Sequence, residues 1–333
     1  MLKSIDLFSG CGGLTEGLKE ASIDVAYAVE IEKKMAQIYT VNHPEVHMIN
    51  EDISTIEDNF FLELRDKVNF VAGCPPCQGF TQLNRNNEKV GYMDERNELI
   101  LEFYRVIKLI QPEFIMMENV PQVKNYENFL FVVENLKKMG YKIDYQIVEV
   151  HKFGVPQRRK RLVMMGSKSF KVEIPLFSDA VETTVRDYLY DLEKVEITKD
   201  EAHKVYSRHS DRILEMIKLI PKNGGSRKDL PVEYWLDCHK KDGVGFTDVY
   251  GRMGWDRLSP TITGGCLSPS KGRFLHPEEN RSITLREAAL LQTFPKKYKF
   301  DTSLSKGILA QMIGNAIPPK LVKFHGEYLK SLL

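Results

Sequence analysis

The chain has 333 residues, 42% of them apolar, enough for one large domain and a smaller one, each with its own core. Lys and Arg number 47 against 46 Asp and Glu, a formal charge of +1, so global charge identifies no polyanionic partner and only a local basic surface would serve one. Five cysteines at irregular spacing make no disulfide framework and fit a reduced, cytoplasmic protein; the N-terminus lacks the apolar stretch of a signal peptide, and no window approaches the ~20 apolar residues of a membrane span.

In chain order, residues 4–8 predict a strand, 10–13 a tight loop and 14–20 the start of a helix. A second strand over 24–29 ends at Glu30, a helix over 33–42 is stopped by Pro44, and a third strand over 46–50 ends at Glu51 and Asp52. The fourth strand is 68–72. Residues 95–110 carry Leu99, Phe103, Val106, Ile107 and Ile110 at helical spacing, stopped by Pro112. A fifth strand over 114–117, a helix over 129–139 and strands over 142–150 and 162–166 follow. Repeated βα units predict an α/β fold, a Rossmann-like and mostly parallel sheet with helices on both faces. After about Phe177 the rhythm breaks into charged, irregular sequence. A helix returns from Ile283, and a last amphipathic helix from about Lys320 needs a core, which the first domain supplies. The expected organisation is a catalytic domain of residues 1–177 and 285–333 with an inserted, smaller domain of residues 178–284.

Residues 73–80, Gly-Cys-Pro-Pro-Cys-Gln-Gly-Phe, follow the fourth strand. Pro75 and Pro76 fix φ and remove two donors, so the loop continues neither helix nor ladder, and it presents Cys77 at the sheet edge where α/β folds place their chemistry. Three readings stand at this point: a nucleophile, a Cys74–Cys77 dithiol and half of a zinc site.

Asp6–Leu14 is a glycine-rich loop after strand one, neither the GxGxxG fingerprint nor a P-loop. Glu30, at the end of strand two, suits a ribose diol, and Asp52, at the end of strand three, is placed to accept from an adenine amino group. Taken singly, each is a solvated loop acid. At three adjacent strand ends they point to an adenosine ligand, and with no phosphate cradle S-adenosylmethionine fits better than a nucleotide phosphate.

Six segments then occur in order: Asp6–Leu14, Pro75-Pro76-Cys77-Gln78, Glu118-Asn119-Val120, Gln157-Arg158-Arg159-Lys160-Arg161, Arg257–Thr263 and Gly314-Asn315-Ala316-Ile317-Pro318-Pro319. Together they resemble the ordered motif set of DNA C5-cytosine methyltransferases and span nearly the whole chain. Departures are small: Thr81 stands where many members have serine, and the variable segment is short. Without a long N-terminal regulatory region, the chain resembles bacterial and phage members. The resemblance implies an S-adenosylmethionine pocket from Phe8, Gly10, Gly12, Leu14, Glu30, Ile31, Asp52, Ile53, Pro76, Asn315 and Ala316. It implies catalytic roles for Cys77, Glu118, Arg159 and Arg161, and DNA contacts from Gln78, Arg85, Lys222, Arg227, Lys228 and Arg257, with no metal. The implied partner is double-stranded DNA. The expected setting is a restriction-modification system, with a cognate restriction endonuclease as functional partner, or an orphan methylase without one, and a monomer is expected.

Carbon 5 of cytosine is a poor nucleophile. A thiolate adding to carbon 6 makes it an enamine carbon able to attack a sulfonium methyl group. Addition requires a donor at N3, and Glu118 is placed for it; a carboxyl held away from water keeps its proton more readily. Arg159 and Arg161 alternate at the entry to strand seven and are expected on one face, holding cytosine O2 and orienting Glu118. The dithiol reading gives no work to Glu118, Arg161 or the glycine loop. The zinc reading has Cys238, His239, Cys266 and His276, at a spacing that fits no zinc pattern. Residues 222–228 read as a DNA-facing loop, and the loop after Cys77 (Arg85, Asn86, Asn87, Lys89, Gly91) as an element closing over the flipped base. The tRNA-methylating branch shares nearly every motif and is the alternative within the fold; a thiol-disulfide oxidoreductase is the alternative outside it.

Overall fold

The computed structural model describes residues 2–76, 98–176, 183–237, 240 and 248–333. Cys77, Gln78, Arg85 and the loop expected to close over the base lie outside the described residues, as do Cys238 and His239. The chain forms two compact units. The first comprises Met1–Phe153, Lys160–Asp179 and Ile317–Leu333; the second comprises Gly154–Arg159 and Ala180–Ala316. Residues 285–316, grouped with the first domain from the sequence, pack in the second unit, because the helix at 285–291 is buried there against residues 185–189 and 201–204.

The first unit holds strands β1 (Lys3–Leu7), β2 (Asp24–Val29), β3 (His47–Ile49), β4 (Phe70–Gly73), β5 (Phe114–Asn119), β6 (Lys142–Glu149) and β7 (Lys160–Ser167). Their order is β3-β2-β1-β4-β5-β7-β6. The first five pair in parallel, and β7 runs antiparallel to both β5 and β6. The connection reverses direction between β1 and β4, so the loops after these two strands open at the topological switch point, where open α/β sheets bind ligands. β5 is buried along its whole length, as an apolar run covered on both faces must be.

Helices α1 (Gly13–Glu20), α2 (Lys33–Asn42), α3 (Asp58–Leu62), α4 (Leu99–Ile110) and α5 (Glu127–Lys138) follow their strands. α4 buries Phe103, Val106, Ile107 and Ile110 of the predicted stripe, with Ile100 fully buried where Leu99 was expected and Leu99 only partly so.

The second unit contains α6 (Val185–Leu189), α7 (Asp211–Leu219), α8 (Leu285–Leu291) and α9 (Lys306–Asn315). Its described residues hold isolated bridges, Gln157–Ser259, Arg252–Leu275 and Leu275–Ser282, and no strand. Thr284 and Glu287 form a capping box at the start of α8. Arg281 donates to both Glu287 carboxylate oxygens at 2.8 Å. α10 (Pro319–Ser331) returns to the first unit with proline in its first turn and lies on α1, as its apolar face requires. Gly17 permits the approach: a Cβ there would overlap the Pro319 carbonyl and Val322.

Candidate active site

The loop after β1 turns through left-handed backbone at Phe8 (φ 60°), Gly10 (φ 55°) and Gly12 (φ 95°). Such φ costs a non-glycine residue free energy, so the strain at Phe8 must be held by its surroundings. Glu30 is a large part of that hold. Its buried carboxylate accepts from Gly10 N at 2.7 Å and Glu32 N at 2.8 Å, tying the loop to the end of β2. Burial raises the Glu30 pKa, with the Glu32 charge adding to it and the backbone donors opposing.

Beneath the loop, Thr15 Oγ1 donates to Asp6 Oδ2 at 2.7 Å and lies 2.6 Å from the Tyr39 hydroxyl. Asp6 is fully buried; burial lifts its pKa to about 7, against the pull of the Thr15 hydroxyl and with the help of the Glu30 charge. Apart from its own chain neighbours, no atom of the described residues lies within 4 Å of the point where a Cβ on Gly10 would stand. Asp6 Oδ1 and Ser9 Oγ are buried without a hydrogen-bond partner among the described residues. An acid at the end of β2, open backbone at Gly10 and unfilled polar atoms beneath it suit an adenosyl group.

Leu14 and Ile53 are buried as apolar packing, and Ile31 is exposed. Asp52 does not simply face outward. Its Oδ1 caps the short helix Ile53–Thr55 by accepting from Ser54 N and Oγ at 2.9 and 2.8 Å, so part of its hydrogen-bonding capacity is used locally.

At the end of β4, Gly73 lies so close to β1 that a Cβ would stand 2.8 Å from the Leu7 carbonyl oxygen and 3.2 Å from the Phe103 ring. Cys74 N donates to the same carbonyl. The next strand, β5, ends in Glu118 and Asn119. Asn119 Nδ2 donates to Pro75 O at 2.9 Å while its Oδ1 accepts from Val120 N at 2.8 Å, which fixes the Pro75-Pro76 segment to the end of β5. The role of Asn119 is not visible in its local sequence, since its partner lies 44 residues away.

Glu118 is 5% exposed, and its Oε1 lies 2.7 Å from Arg161 Nε. The contact is a charge pair without the alignment of a hydrogen bond, because Oε1 has no donor of good geometry among the described residues. The antiparallel register pairs Asn119 with Leu162, which brings Arg161 to the point where β5 stops. Burial lowers the Arg161 pKa, and the neighbouring Glu118 carboxylate opposes the shift. Burial, reinforced by the charge of Glu118, pushes the Cys74 thiol well above its ordinary pKa. The shift favours the protonated thiol of the partly buried Cys74 over a thiolate.

Arg159 departs from the expected shared face. β7 begins at Lys160, so strand alternation does not extend to Arg159. Its buried guanidinium donates instead to the carbonyls of Ile262 (3.0 Å), Gly314 (3.2 Å) and Ala316 (3.2 Å) in the second unit. Gln157, quoted only as part of a basic run, is buried in the same unit. It donates to Leu291 O at 2.8 Å and accepts from Ile262 N at 3.0 Å. Asn315 is exposed at the end of α9, and Ala316 follows it.

The DNA-facing segment 222–228 is only partly at the surface. Lys222 and Lys228 are exposed, with Lys222 Nζ 3.5 Å from Glu278. Arg227 is not: it is 2% exposed and lies over the Trp235 ring at 5.2 Å, a packing arginine where a phosphate contact was expected. Arg257 is exposed, its stem against Gly254. His276 is buried and within 3.7 Å of Glu287, and no cluster of metal-ligating side chains occurs among the described residues.

This arrangement has relatives. The family model for C-5 cytosine-specific DNA methylases matches residues 2–331. The chain is 35% identical to the type II methylase M.HgiDII of Herpetosiphon aurantiacus, over 99% of this chain and 95% of that one. It is 33% identical to the type II methyltransferase M1.HphI of Haemophilus parahaemolyticus, over 98% and 86%. Among solved structures, an E. coli prophage-encoded protein described as a DNA modification methyltransferase superposes with a TM-score of 0.70 at 26% identity, over 100% of this chain and 99% of that one. Entamoeba histolytica EhMeth shares the fold, with a TM-score of 0.70 at 21% identity, over 99% and 98%. With Glu118 and Arg161 paired beside the strand that leads into Pro75-Pro76-Cys77, and with the family pattern matched from residue 2 to residue 331, the chain belongs to the C-5 cytosine-specific DNA methylases.

Proposed function

We propose that this chain transfers a methyl group from S-adenosylmethionine to carbon 5 of a cytosine flipped out of a specific double-stranded DNA sequence, through a covalent Cys77 adduct. The observation that carries the reading is the buried pair of Glu118 on β5 and Arg161 on β7, with β5 hydrogen-bonded on its other side to β4, the strand that runs into the Pro-Pro-Cys segment.

Cofactor contacts are assigned to Phe8, Gly10, Gly12, Leu14, Glu30, Ile31, Asp52, Ile53, Pro76, Asn315 and Ala316. Glu30 takes the ribose hydroxyls, since each of its oxygens accepts one backbone donor and retains a second lone pair. The cofactor supplies an electrophilic sulfonium methyl group.

The Cys77 thiolate forms a bond to cytosine C6 while Glu118 delivers a proton to N3, and Arg161 holds O2 and fixes the Glu118 carboxyl. The electron pair thereby placed at C5 takes the methyl group. Loss of the C5 proton to a base, return of the N3 proton to the Glu118 carboxylate and expulsion of the Cys77 thiolate then restore the aromatic ring. Sequence choice belongs to the second unit, where Lys222, Lys228 and Arg257 contribute from the surface, with Gln78 and Arg85 from the loop after Cys77. The enzyme works as a cytoplasmic monomer in a restriction-modification context. No helix among the described residues is long and apolar enough to cross a membrane.

Bisulfite sequencing of DNA treated with purified protein locates the target. A duplex with 5-fluorocytosine at that position is then expected to give a denaturation-resistant adduct in the presence of S-adenosylmethionine, because fluorine blocks the final proton loss. An active preparation that forms no adduct refutes the covalent route. Methyl transfer to tRNA and not to duplex DNA refutes the substrate assignment.

A further inference from the structure

We infer that Arg159 is a positioning residue that fixes the end of α9, and through it Asn315 and Ala316, instead of contacting the target base. The inference rests on the cofactor role proposed for those two residues. A helix leaves its last carbonyls without intrahelical donors, and a cation at that end is favoured by the helix dipole. Here the caps are side chains from elsewhere in the unit. Arg159 Nη1 donates to Gly314 O and Nη2 to Ala316 O, both at 3.2 Å. Gln292 Nε2 donates to Ile313 O at 2.9 Å and Ala316 O at 2.6 Å. Arg159 Nη1 also reaches Ile262 O at 3.0 Å, and Gln157 holds the Ile262 N–H while donating to the Gln292 amide oxygen. Gly314 lets the two segments touch, since any side chain there would overlap the Thr263–Gly264 backbone.

Three of the five guanidinium donors are thus committed to buried carbonyls. Moving Arg159 onto a cytosine oxygen would take its donors from the buried Ile262 and Gly314 carbonyls, at the cost of unsatisfied buried acceptors, and would leave Ala316 O to Gln292. Arg161, by contrast, has its charge on Glu118. The neighbouring arginines of one motif therefore do different work: Arg161 acts at the reacting carboxyl, and Arg159 holds the Ile262 and Ala316 segments in register.

The experiment compares wild type, Arg159→Ala, Arg159→Lys, Gln292→Ala and Asn315→Ala. It measures calorimetric affinity for S-adenosylhomocysteine and, separately, the rate of 5-fluorocytosine adduct formation at saturating cofactor. Arg159→Ala is expected to weaken cofactor affinity by about tenfold or more while the saturated adduct rate stays within about threefold. Arg159→Lys, which retains charge and donors, should recover part of the affinity. Where Arg159→Ala does not fold, Arg159→Lys and Gln292→Ala carry the test through the same split. A fall of a hundredfold in the saturated rate with unchanged affinity would show that Arg159 acts on the base and would overturn the inference. Unchanged affinity in Asn315→Ala would remove the cofactor role of the loop itself, a failure of the underlying reading. Weakened affinity in Asn315→Ala beside unchanged affinity in the Arg159 variants is a failure of this inference alone.

Discussion

Replacing Glu287 with glutamine isolates one buried charge in the second unit. Glu287 is 1% exposed; it accepts from both terminal nitrogens of Arg281 at 2.8 Å and from Thr284 N at 2.8 Å. Burial alone would push its pKa up, but the Arg281 charge and hydrogen bonds outweigh it and hold the carboxyl at about 2, from 4.5. A folded pKa below the unfolded one contributes stability above the unfolded pKa and loses it as pH falls through the folded value. The window here is therefore about pH 4.5 down to about 2. At about 1.4 kcal/mol per unit, the shift corresponds to about 3 kcal/mol near neutral pH, the lower end of the about 3–5 kcal/mol for breaking a buried pair. The lower end is apt because Arg281 keeps Glu279 at 2.7 Å.

The chain's two tryptophans, Trp235 and Trp255, both lie in the second unit, so their fluorescence follows that unit through urea unfolding. With a slope of about 1–3 kcal/mol per molar urea, the Glu287→Gln midpoint should fall by about 1–3 M at pH 7, and the gap to wild type should narrow below about pH 4.5 and close only near about pH 2. A pH-independent difference, or none at pH 7, would refute the charge argument.

Asp6→Asn should act with the opposite sign. A folded pKa raised to about 7 gives stability that is present below about 4 and lost as pH rises through about 7, so the variant should protect β1 amides from hydrogen exchange more than wild type at pH 8 and not at pH 4. Gly73→Ala should cost about 1–3 kcal/mol by overpacking β4 against Leu7 and Phe103, and should slow turnover at saturating substrates, both measured on the same preparation. Lys222→Ala should weaken binding to all DNA and flatten its salt dependence, whereas Arg227→Ala should lower the tryptophan-monitored urea midpoint with little change in salt slope. Cys74→Ser should retain most activity while Cys77→Ser loses it; equal losses in methyl-transfer assays would return the dithiol reading.

Much of this protein is legible in the sequence because the signals are local. The runs 24–29 and 33–42 appear as a strand and a helix with the expected limits, and Phe103, Val106, Ile107 and Ile110 lie on the buried face of α4. Proline and glycine mark the loops at the strand ends because they act on their own backbone. What the sequence could not decide depends on partners distant along the chain. Nothing near Arg159 or Arg227 distinguishes a buried guanidinium from an exposed one. Arg159 is claimed by carbonyls more than 100 residues away, and Arg227 by a fold that brings Trp235 beneath it. Likewise Asn119 becomes a clamp only when β4 and β5 lie side by side, and residues 285–316 join the second unit only through packing. Backbone preference is a property of a few consecutive residues, whereas the partner of a charged or amide side chain is chosen by the folded topology.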